Sequence, residues 1–355
     1  VDGCMFSFSE VKIAPPGPFR RFLSGGSFGS GIQLKASEMA GSVNAVVASS
    51  GDFYAFRQMG VIVYDGIVRR TDPQRVDTCY IDEDGNMLVF ADEDGLLHVG
   101  SEKTQLTWMD ASINGVPVTP RHGCAVELNA LWFDALTFAK ELAEQFEEPA
   151  PAETALLPRL KKAFVRVFCP SDELKDVMGG GLHDTWRPDA EPDLCIRPNQ
   201  IFAVAVPCSP LSQKMQAAVT KCVRENLLTP YGLRTLAPTD PAYKGACQGP
   251  QAVRDLAYHQ GTVWPWPVGA YVDAVVKTAR SPKAVRDVLA TLTPLFTSHL
   301  NEAGMGSISE ILDGDQPHVP GGCIAQAWSC AEALRLLLLI KKSNPGEWNN
   351  WLETL

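Results

Sequence analysis

The chain has 355 residues, which is enough for one large domain or two ordinary ones with their own hydrophobic cores. Its composition, 45% hydrophobic and 20% charged, is that of a globular protein and excludes disorder throughout the chain. The net charge of −10, with no run of basic residues longer than a pair, argues against nucleic acid and anionic membranes as partners.

Targeting and metal-binding signals are absent from the sequence. No stretch contains the roughly 18 uncharged apolar residues that cross a bilayer, and the first residues do not resemble a secretory signal. The ten cysteines form no C-x-x-C pair and have no zinc-site spacing. We therefore expect a cytoplasmic protein with reduced, mostly buried thiols, no metal and no cofactor. Structural disulfides are the alternative.

The amino-terminal part predicts little regular structure. Residues 1–40 are rich in glycine and proline and show neither helical nor strand periodicity, which predicts an irregular segment. Apolar residues between 43 and 67 favour helical segments. Residues 76–99 contain strand-like runs and two acidic turns ending in glycine, which predict a small β-hairpin insertion. Calcium loops are the alternative for these turns, but the ligand series of an EF-hand is missing.

After Pro120 the apolar residues recur every three or four positions, which is typical of helices packed on one face. The pattern predicts six helices, at about 126–146, 156–168, 212–228, 265–280, 283–300 and 325–342. The unusual motifs lie in the long loops between these helices. Such alternation is typical of a ring of paired helices with a site built from loops at one end.

Two carboxylates lie in loops of unusual composition. Asp110 follows Trp108, and an indole beside a carboxyl shields it from water and favours its protonated form. Glu310 follows small residues that suit a loop open to water and substrate. Cleavage of a glycosidic bond requires one carboxyl as acid and another that handles water. The alternatives are a helix-cap or turn aspartate and a solvated turn.

Residues 257–266 combine polar and aromatic groups that suit a sugar. His259 and Gln260 offer hydrogen-bonding groups for hydroxyls, and Trp264 and Trp266 offer flat faces for a pyranose ring. Metal ligation by the histidine is an alternative, but no second His or Cys stands two to four residues further along the chain.

Two further features leave alternatives open. The segment Arg197–Gln200 precedes an apolar run and predicts a polar tip on a buried element, with a helix cap and an arginine ion pair as the alternative. Cys247, Cys323 and Cys330 lie near these loops. A nucleophilic cysteine would need a His-and-Asn arrangement that the sequence does not indicate, so we expect bystander thiols.

In their order along the chain, these motifs resemble the carboxy-terminal glucosidase domain of glycogen debranching enzymes, the amylo-α-1,6-glucosidases of glycoside hydrolase family 133. The resemblance extends from about Asp94 to Arg335. It rests on Gln105–Ala111, Val126–Trp132, Ile196–Gln200, Tyr231–Leu236, Arg254–Trp266, Ser309–Gly314 and Gly322–Ser329.

The resemblance implies an all-α (α/α)6 toroid over residues 41–355 and an inverting hydrolysis that releases glucose from α-1,6 stubs. The implied partners are glycogen, limit dextrin and branched maltooligosaccharides. Asp110 would be the general acid and Glu310 the general base, with their carboxyls about 6.5–9.5 Å apart. The implied glucose subsite comprises Trp108, Asp184, Arg197, Asn199, Gln200, His259, Gln260, Trp264 and Trp266.

Residues 1–90 lack the Trp-Gly-Arg-Asp-Thr-like segment whose aspartate is expected to hold the glucose in this family. We therefore expect the first helices of the toroid to be missing or altered. This departure keeps two alternative functions open. One is a glucan-binding remnant without turnover, and the other is a related (α/α)6 α-glucosidase with another linkage preference.

Overall fold

The structure is a computed structural model that describes residues 89–354 except Lys175, together with the backbone of two earlier strands. The chain divides into two compact units, one of which contains the two earlier strands and the other the residues from Val89 onward. In the first unit, β1 (Ile62–Tyr64) pairs antiparallel with β2 (Ile67–Arg70). The prediction of helix is wrong at these strands, whose sequences are rich in β-branched residues and flank an Asp-Gly dipeptide typical of two-residue hairpin loops. The predicted irregular segment 1–40 lies outside the described residues.

The second unit begins with a β-hairpin. Strand β3 (Val89–Ala91) pairs antiparallel with β4 (Leu97–Val99) across the second acidic turn. Asp92 Oδ1 accepts two backbone N–H groups within this turn, and Gly95 supplies a positive φ of 85°. The hairpin prediction is confirmed here, whereas the strand and turn predicted within 76–85 lie outside the described residues.

Three sets of short elements then precede or connect the helices. Strand β5 (Ser112–Ile113) pairs with β6 (Val116–Pro117), and β7 (Cys124–Ala125) pairs with β8 (Thr185–Trp186). Short 3-10 helices occupy Ala152–Leu156, Pro198–Ile201 and His299–Asn301.

Nine α-helices lie within the described residues. They are α1 (Val126–Gln145), α2 (Leu157–Phe168), α3 (Phe202–Ala205), α4 (Gln213–Asn226), α5 (Gln251–Ala257), α6 (Val268–Thr278), α7 (Pro282–Phe296), α8 (Ala327–Ser343) and α9 (Pro345–Leu352). The six predicted helices are confirmed, with ends shifted by a few residues. Their starts have local causes, since Pro158 and Pro282 stand in first turns and Ser212 accepts the N–H of Met215 as a cap.

The helices pack as a series of pairs. Helices α1, α3, α6 and α8 contact one another in that order, and each is backed by the next helix in sequence, α2, α4, α7 and α9. A central helix with a companion behind it is the repeat of an (α/α) toroid. The predicted fold class is confirmed in this repeat, of which four pairs are described. The expected alteration of the first pairs falls on residues outside the described part.

Helix α6 lies at the centre of this packing. It contacts four other helices, and seven of its residues are buried, including Val268, Tyr271 and Val275. None of the helices in the described part combines the length and the apolar character needed to cross a bilayer.

A five-stranded antiparallel sheet, absent from the sequence-based prediction, lies among the loops. Its order is β13-β12-β11-β10-β9, and its strands are β9 (Leu228–Thr229), β10 (Gly232–Arg234), β11 (Val263–Trp264), β12 (Ile311–Leu312) and β13 (Pro320–Gly321). Strands of two or three residues are too short for an alternating pattern to reveal. Strand β11, which contains Trp264, pairs with β12, and Glu310 is the residue before β12. The sheet therefore brings the segments that carry Trp264 and Glu310 side by side.

No disulfide is formed among the eight described cysteines. Cys124 and Cys222 are buried, Cys323 is exposed, and the other five are partly buried. The expectation that most would be buried is therefore wrong for the described cysteines, because four of the partly buried ones lie in loops between helices rather than on core-facing helix positions.

Candidate active site

Glu310 lies just before strand β12 of the five-stranded sheet, where two hydrogen-bond donors hold its carboxylate. The N–H of Cys323 donates to its Oε2 at 2.7 Å, and the hydroxyl of Tyr258 donates to its Oε1. Gly322 makes the first contact possible, since its φ is +65° and a Cβ there would lie 2.5 Å from Glu310 Oε2. The carboxylate is therefore fixed in one orientation.

Asp110 is the second carboxyl group, in the loop that precedes β5. Although the residue is exposed as a whole, partial burial of its carboxyl raises its pKa. The negative charge of Glu310 raises this pKa further, and a hydrogen bond with its own backbone N–H opposes the rise. Both carboxylates also act electrostatically on Tyr258. The three ionisable groups therefore form one cluster.

An aromatic wall, made of Trp108, His259, Trp264, Trp266 and Trp328, adjoins this cluster. The ring of Trp108 meets the others edge to face, with its centroid 4.9 Å from Trp266 and 5.3 Å from His259. Trp328 stacks on Trp266 at 4.8 Å. Trp264 is buried, whereas Trp328 is 38% exposed. The wall thus has a buried base and an accessible indole, which is the type of surface on which a sugar ring packs.

Three nitrogen atoms of the aromatic wall are buried without a hydrogen-bond partner among the described residues. They are Nδ1 and Nε2 of His259 and Nε1 of Trp266. Burial, and then the positive charges of Arg197 and Arg121, lower the pKa of His259 to about 3. The imidazole is therefore neutral, with one donor and one acceptor. Because buried polar groups nearly always find partners, these atoms suit a ligand rich in hydroxyls.

A buried ion network supports the wall from behind. Nε1 of Trp108 donates to Asn199 Oδ1 at 2.6 Å, and Asn199 Nδ2 donates to Asp184 Oδ1 at 2.8 Å. Arg121 donates to both oxygens of Asp184 and both of Glu127, at 2.5–3.2 Å. These three charged side chains are at most 5% exposed. The network fixes the indole of Trp108. Because Asp110 follows two residues later, the network also fixes the start of the loop that carries Asp110.

Arg197 connects two of the predicted site residues. It donates to Gln260 Oε1 at 2.6 Å and to the carbonyl oxygen of His259 at 2.8 Å. Its Nε also lies 3.9 Å from Asp184 Oδ2, so the arginine ion pair considered as an alternative is present. The Arg197 side chain therefore orients the loop that carries the wall.

The predicted site residues fall into two groups. Seven of them lie together in the aromatic wall and the hydrogen-bond network joined to it, and they are Trp108, Arg197, Asn199, His259, Gln260, Trp264 and Trp266. Asp184 and Gln200 are buried, as Asn199 and His259 are, and hydrogen bonds within the protein engage their polar atoms. The amide of Gln200 accepts one backbone N–H at 3.0 Å and donates to a carbonyl at 2.9 Å. Their contact with a sugar stays a prediction.

Four residues were missed from the sequence. Tyr258 and Trp328 lie inside two motifs that carry the resemblance, Arg254–Trp266 and Gly322–Ser329. Their positions in these motifs could have identified them as site residues. Glu127 also lies inside such a motif, Val126–Trp132, whereas Arg121 gave no signal, because a buried arginine and a surface arginine have the same local sequence. Among the described residues, no cluster of three or more His, Cys, Asp or Glu side chains is arranged to hold a metal ion.

Comparison with known proteins identifies the family of the chain. A family model described as amylo-alpha-1,6-glucosidase matches residues 43–335, which is more than half of the chain. The glycogen debranching enzyme of Saccharomyces cerevisiae (strain ATCC 204508 / S288c) is 30% identical over 219 residues, covering 51% of this chain and 14% of the yeast protein. The chain thus corresponds to a small part of that relative.

Two solved structures have a partly similar backbone. A mannosylglycerate hydrolase from Thermus thermophilus in complex with glucose has 17% identity and a TM-score of 0.44, covering 60% of this chain and 47% of its own. Neutral trehalase from Saccharomyces cerevisiae has 11% identity and a TM-score of 0.45, covering 65% and 40%. On the match of the family model, the chain belongs to the amylo-alpha-1,6-glucosidase family of glycoside hydrolases.

Proposed function

We propose that the chain hydrolyses α-1,6-glucosidic bonds and releases the single glucose stubs of branched α-glucan with inversion of configuration. The observation that carries this proposal is the electrostatic pair of Asp110 and Glu310 beside a wall with unpartnered polar nitrogens. Family membership adds the α-1,6 linkage. Glycogen, limit dextrin and branched maltooligosaccharides are the proposed partners.

Asp110 is the proposed general acid. Its raised pKa keeps a larger fraction of the carboxyl protonated near neutral pH, so a proton is available for the glycosidic oxygen. Loss of this proton to the leaving group leaves Asp110 ionised, while Glu310, which has taken a proton from water, is neutral. Release of the Glu310 proton to solvent restores its charge, and repulsion between the two carboxylates then favours reprotonation of Asp110 from solvent, which resets both groups.

Glu310 is the proposed general base. Its two oxygens already accept hydrogen bonds from Tyr258 and Cys323, so the group is oriented before substrate arrives. An inverting enzyme places a water molecule between its base and the anomeric carbon, which requires carboxyls about 6.5–9.5 Å apart. Glu310 would take the proton of that water as the oxygen attacks.

The aromatic wall is the proposed glucose subsite. Sugar hydroxyls both donate and accept, so they could satisfy neutral His259 and the free N–H of Trp266. Trp328 would offer a stacking face, while Arg197 and Asn199 would hold the loops in place. Asp184 and Gln200 would act through the residues that they bind. A cytoplasmic location is proposed as well, and the absence of a disulfide among the eight described cysteines supports it.

Replacement of the acid gives the direct test. Asp110→Asn removes the transferable proton and nearly preserves shape, so we expect kcat on phosphorylase limit dextrin to fall by about 10²–10⁴-fold. Glucose release would be measured enzymatically, with circular dichroism to verify the fold. The matched control is Asp287→Asn, an exposed carboxyl on α7 that should leave kcat unchanged.

Three outcomes would change the proposal. Unchanged release by Asp110→Asn would remove that residue from the acid role. Binding of maltooligosaccharide by calorimetry, without turnover by the wild-type chain, would favour a glucan-binding remnant. Faster release from linear maltooligosaccharides than from isomaltosyl stubs would indicate an α-glucosidase of another linkage.

A further inference from the structure

We propose that Tyr258 is the positioning residue of the base, whose hydroxyl holds the Glu310 carboxylate in the orientation that activates water. This inference rests on the function proposed above and deepens it, because it assigns the orientation of Glu310 to one specific side chain. Tyr258 acts through Glu310 and is not itself assigned a contact with the sugar.

The two oxygens of Glu310 are held from two different parts of the chain. Tyr258 stands at the end of α5 and donates to Oε1, whereas Cys323 follows β13 and donates its N–H to Oε2. Two donors on opposite oxygens prevent rotation of the carboxylate plane. Each oxygen has a second lone pair, so one remains for the proton of a water molecule.

Tyr258 is itself fixed by the aromatic wall. Its carbonyl oxygen accepts Nε1–H of Trp264 at 3.0 Å, and its ring lies 5.0 Å from that of Trp264 and 4.8 Å from that of His259. Tyr258 therefore connects the aromatic wall to Glu310. A phenol held on three sides loses little conformational freedom when it binds the carboxylate.

The phenol is kept as a donor by its surroundings. Burial, then its hydrogen bond to Glu310, and the negative charges of Glu310 and Asp110 with the thiol of Cys247, raise the pKa of Tyr258 far above its usual value. His259, whose ring packs against that of Tyr258, is neutral and adds no charge there. The hydroxyl consequently stays protonated over the pH range in which glucosidases are assayed.

Tyr258→Phe tests this role because it removes the hydroxyl and retains the ring. A hydrogen bond to a charged group is lost, so we expect kcat to fall about 10- to 100-fold, with KM nearly unchanged. The acidic limb of the kcat/KM profile should move to higher pH, because the ionised carboxylate loses a donor. A residue that merely supports the fold would not move this limb.

Tyr243→Phe is the matched control. The hydroxyl of Tyr243 also donates to a carboxylate, Asp315 Oδ1, at 3.0 Å, but neither residue has a role in the mechanism. Its loss should leave the pH profile at the wild-type position. Equal kcat and equal pH profiles for wild type and Tyr258→Phe would overturn the inference.

Infrared spectroscopy provides a readout that does not depend on turnover. The carboxylate band that disappears in Glu310→Gln identifies Glu310, and this band should shift in Tyr258→Phe. An unshifted band would overturn the inference even if the wild-type chain released no glucose. A shifted band in an inactive wild type would instead retain the positioning contact while the proposed hydrolysis failed.

Discussion

Two carboxyl groups of the same chemical type stand in different surroundings at the candidate site. Asp110 has a raised pKa, chiefly through burial and further through the charge of Glu310. Glu310 is instead held by a phenol and a backbone amide. Environments that separate two carboxyls in this way are how one site obtains both an acid and a base.

The raised pKa of Asp110 predicts a pH-dependent effect on stability. The folded state binds this proton more tightly than the unfolded state, so the contribution of Asp110 is full below the ordinary carboxyl pKa. It is lost as the pH rises through the higher pKa of the folded state. Asp110→Asn removes this loss, so the free energy of unfolding of the variant relative to wild type should be higher at about pH 7 than at about pH 3.

Urea unfolding of both proteins across this range would measure the difference. A difference between the two proteins that does not change with pH would contradict the assignment of a raised pKa. Asp287→Asn, at an exposed carboxyl, serves again as the comparison and should show no such trend.

At the scale of elements, very short strands position Glu310, the proposed base. Glu310 precedes β12, and the chain after β13 returns to it through Gly322 and Cys323. The left-handed backbone of Gly322 brings the N–H of Cys323 within hydrogen-bond distance. One glycine therefore decides whether the carboxylate has its second donor.

Gly322→Ala should impair the site more than the fold. A side chain at positive φ costs about 1–2 kcal/mol, and its Cβ would press on the carboxylate. We expect kcat to fall by at least about tenfold, which corresponds to about 1.4 kcal/mol of lost transition-state stabilisation. The melting temperature should drop only modestly. Gly321→Ala is the neighbouring control, because a Cβ there makes an ordinary contact with Ile311 at 3.4 Å. Equal activities of the two variants would contradict this account.

The sequence predicted helices well and strands poorly for a physical reason. Helices of 11 to 20 residues, such as α1 and α6, contain several apolar periods, whereas β9 to β13 have two or three residues each. The hairpin β1–β2 could have been recognised from its Asp-Gly dipeptide and β-branched flanks.

The candidate site was predictable as a set of residue types and not as an arrangement. Trp108, His259 and Trp266 were selected for their chemistry, and the structure brings their rings together. That Asp184 lies behind the wall, bound to Arg121, depends on contacts 63 residues apart in the chain. Periodicity and local motifs carry no information about such pairings.

At the scale of the whole molecule, the net charge of −10 bears on substrate class. A neutral α-glucan is neither attracted nor repelled by this charge over long distances. An anionic polymer would be repelled, and added salt would screen the repulsion. The charge therefore distinguishes these two classes of substrate by their salt dependence.

We expect kcat/KM on neutral limit dextrin to change less than about twofold between roughly 0.02 and 0.5 M sodium chloride. On a phosphorylated limit dextrin of the same size, kcat/KM should rise over this range as repulsion is screened. Glucose-release rates for both substrates would measure the contrast. A strong salt dependence on the neutral substrate would mean that charged residues take a direct part in binding.

The buried network of Arg121, Glu127 and Asp184 also limits how this chain can diverge. Loss of Arg121 leaves the buried carboxylates of Glu127 and Asp184 without the guanidinium that binds both, and breaking a buried ion pair typically costs about 3–5 kcal/mol, a large share of the stability of a domain. Substitution of Arg121 alone should therefore be far more damaging than a coordinated exchange of all three side chains for apolar ones. The position of Trp108 depends on the same network through Asn199.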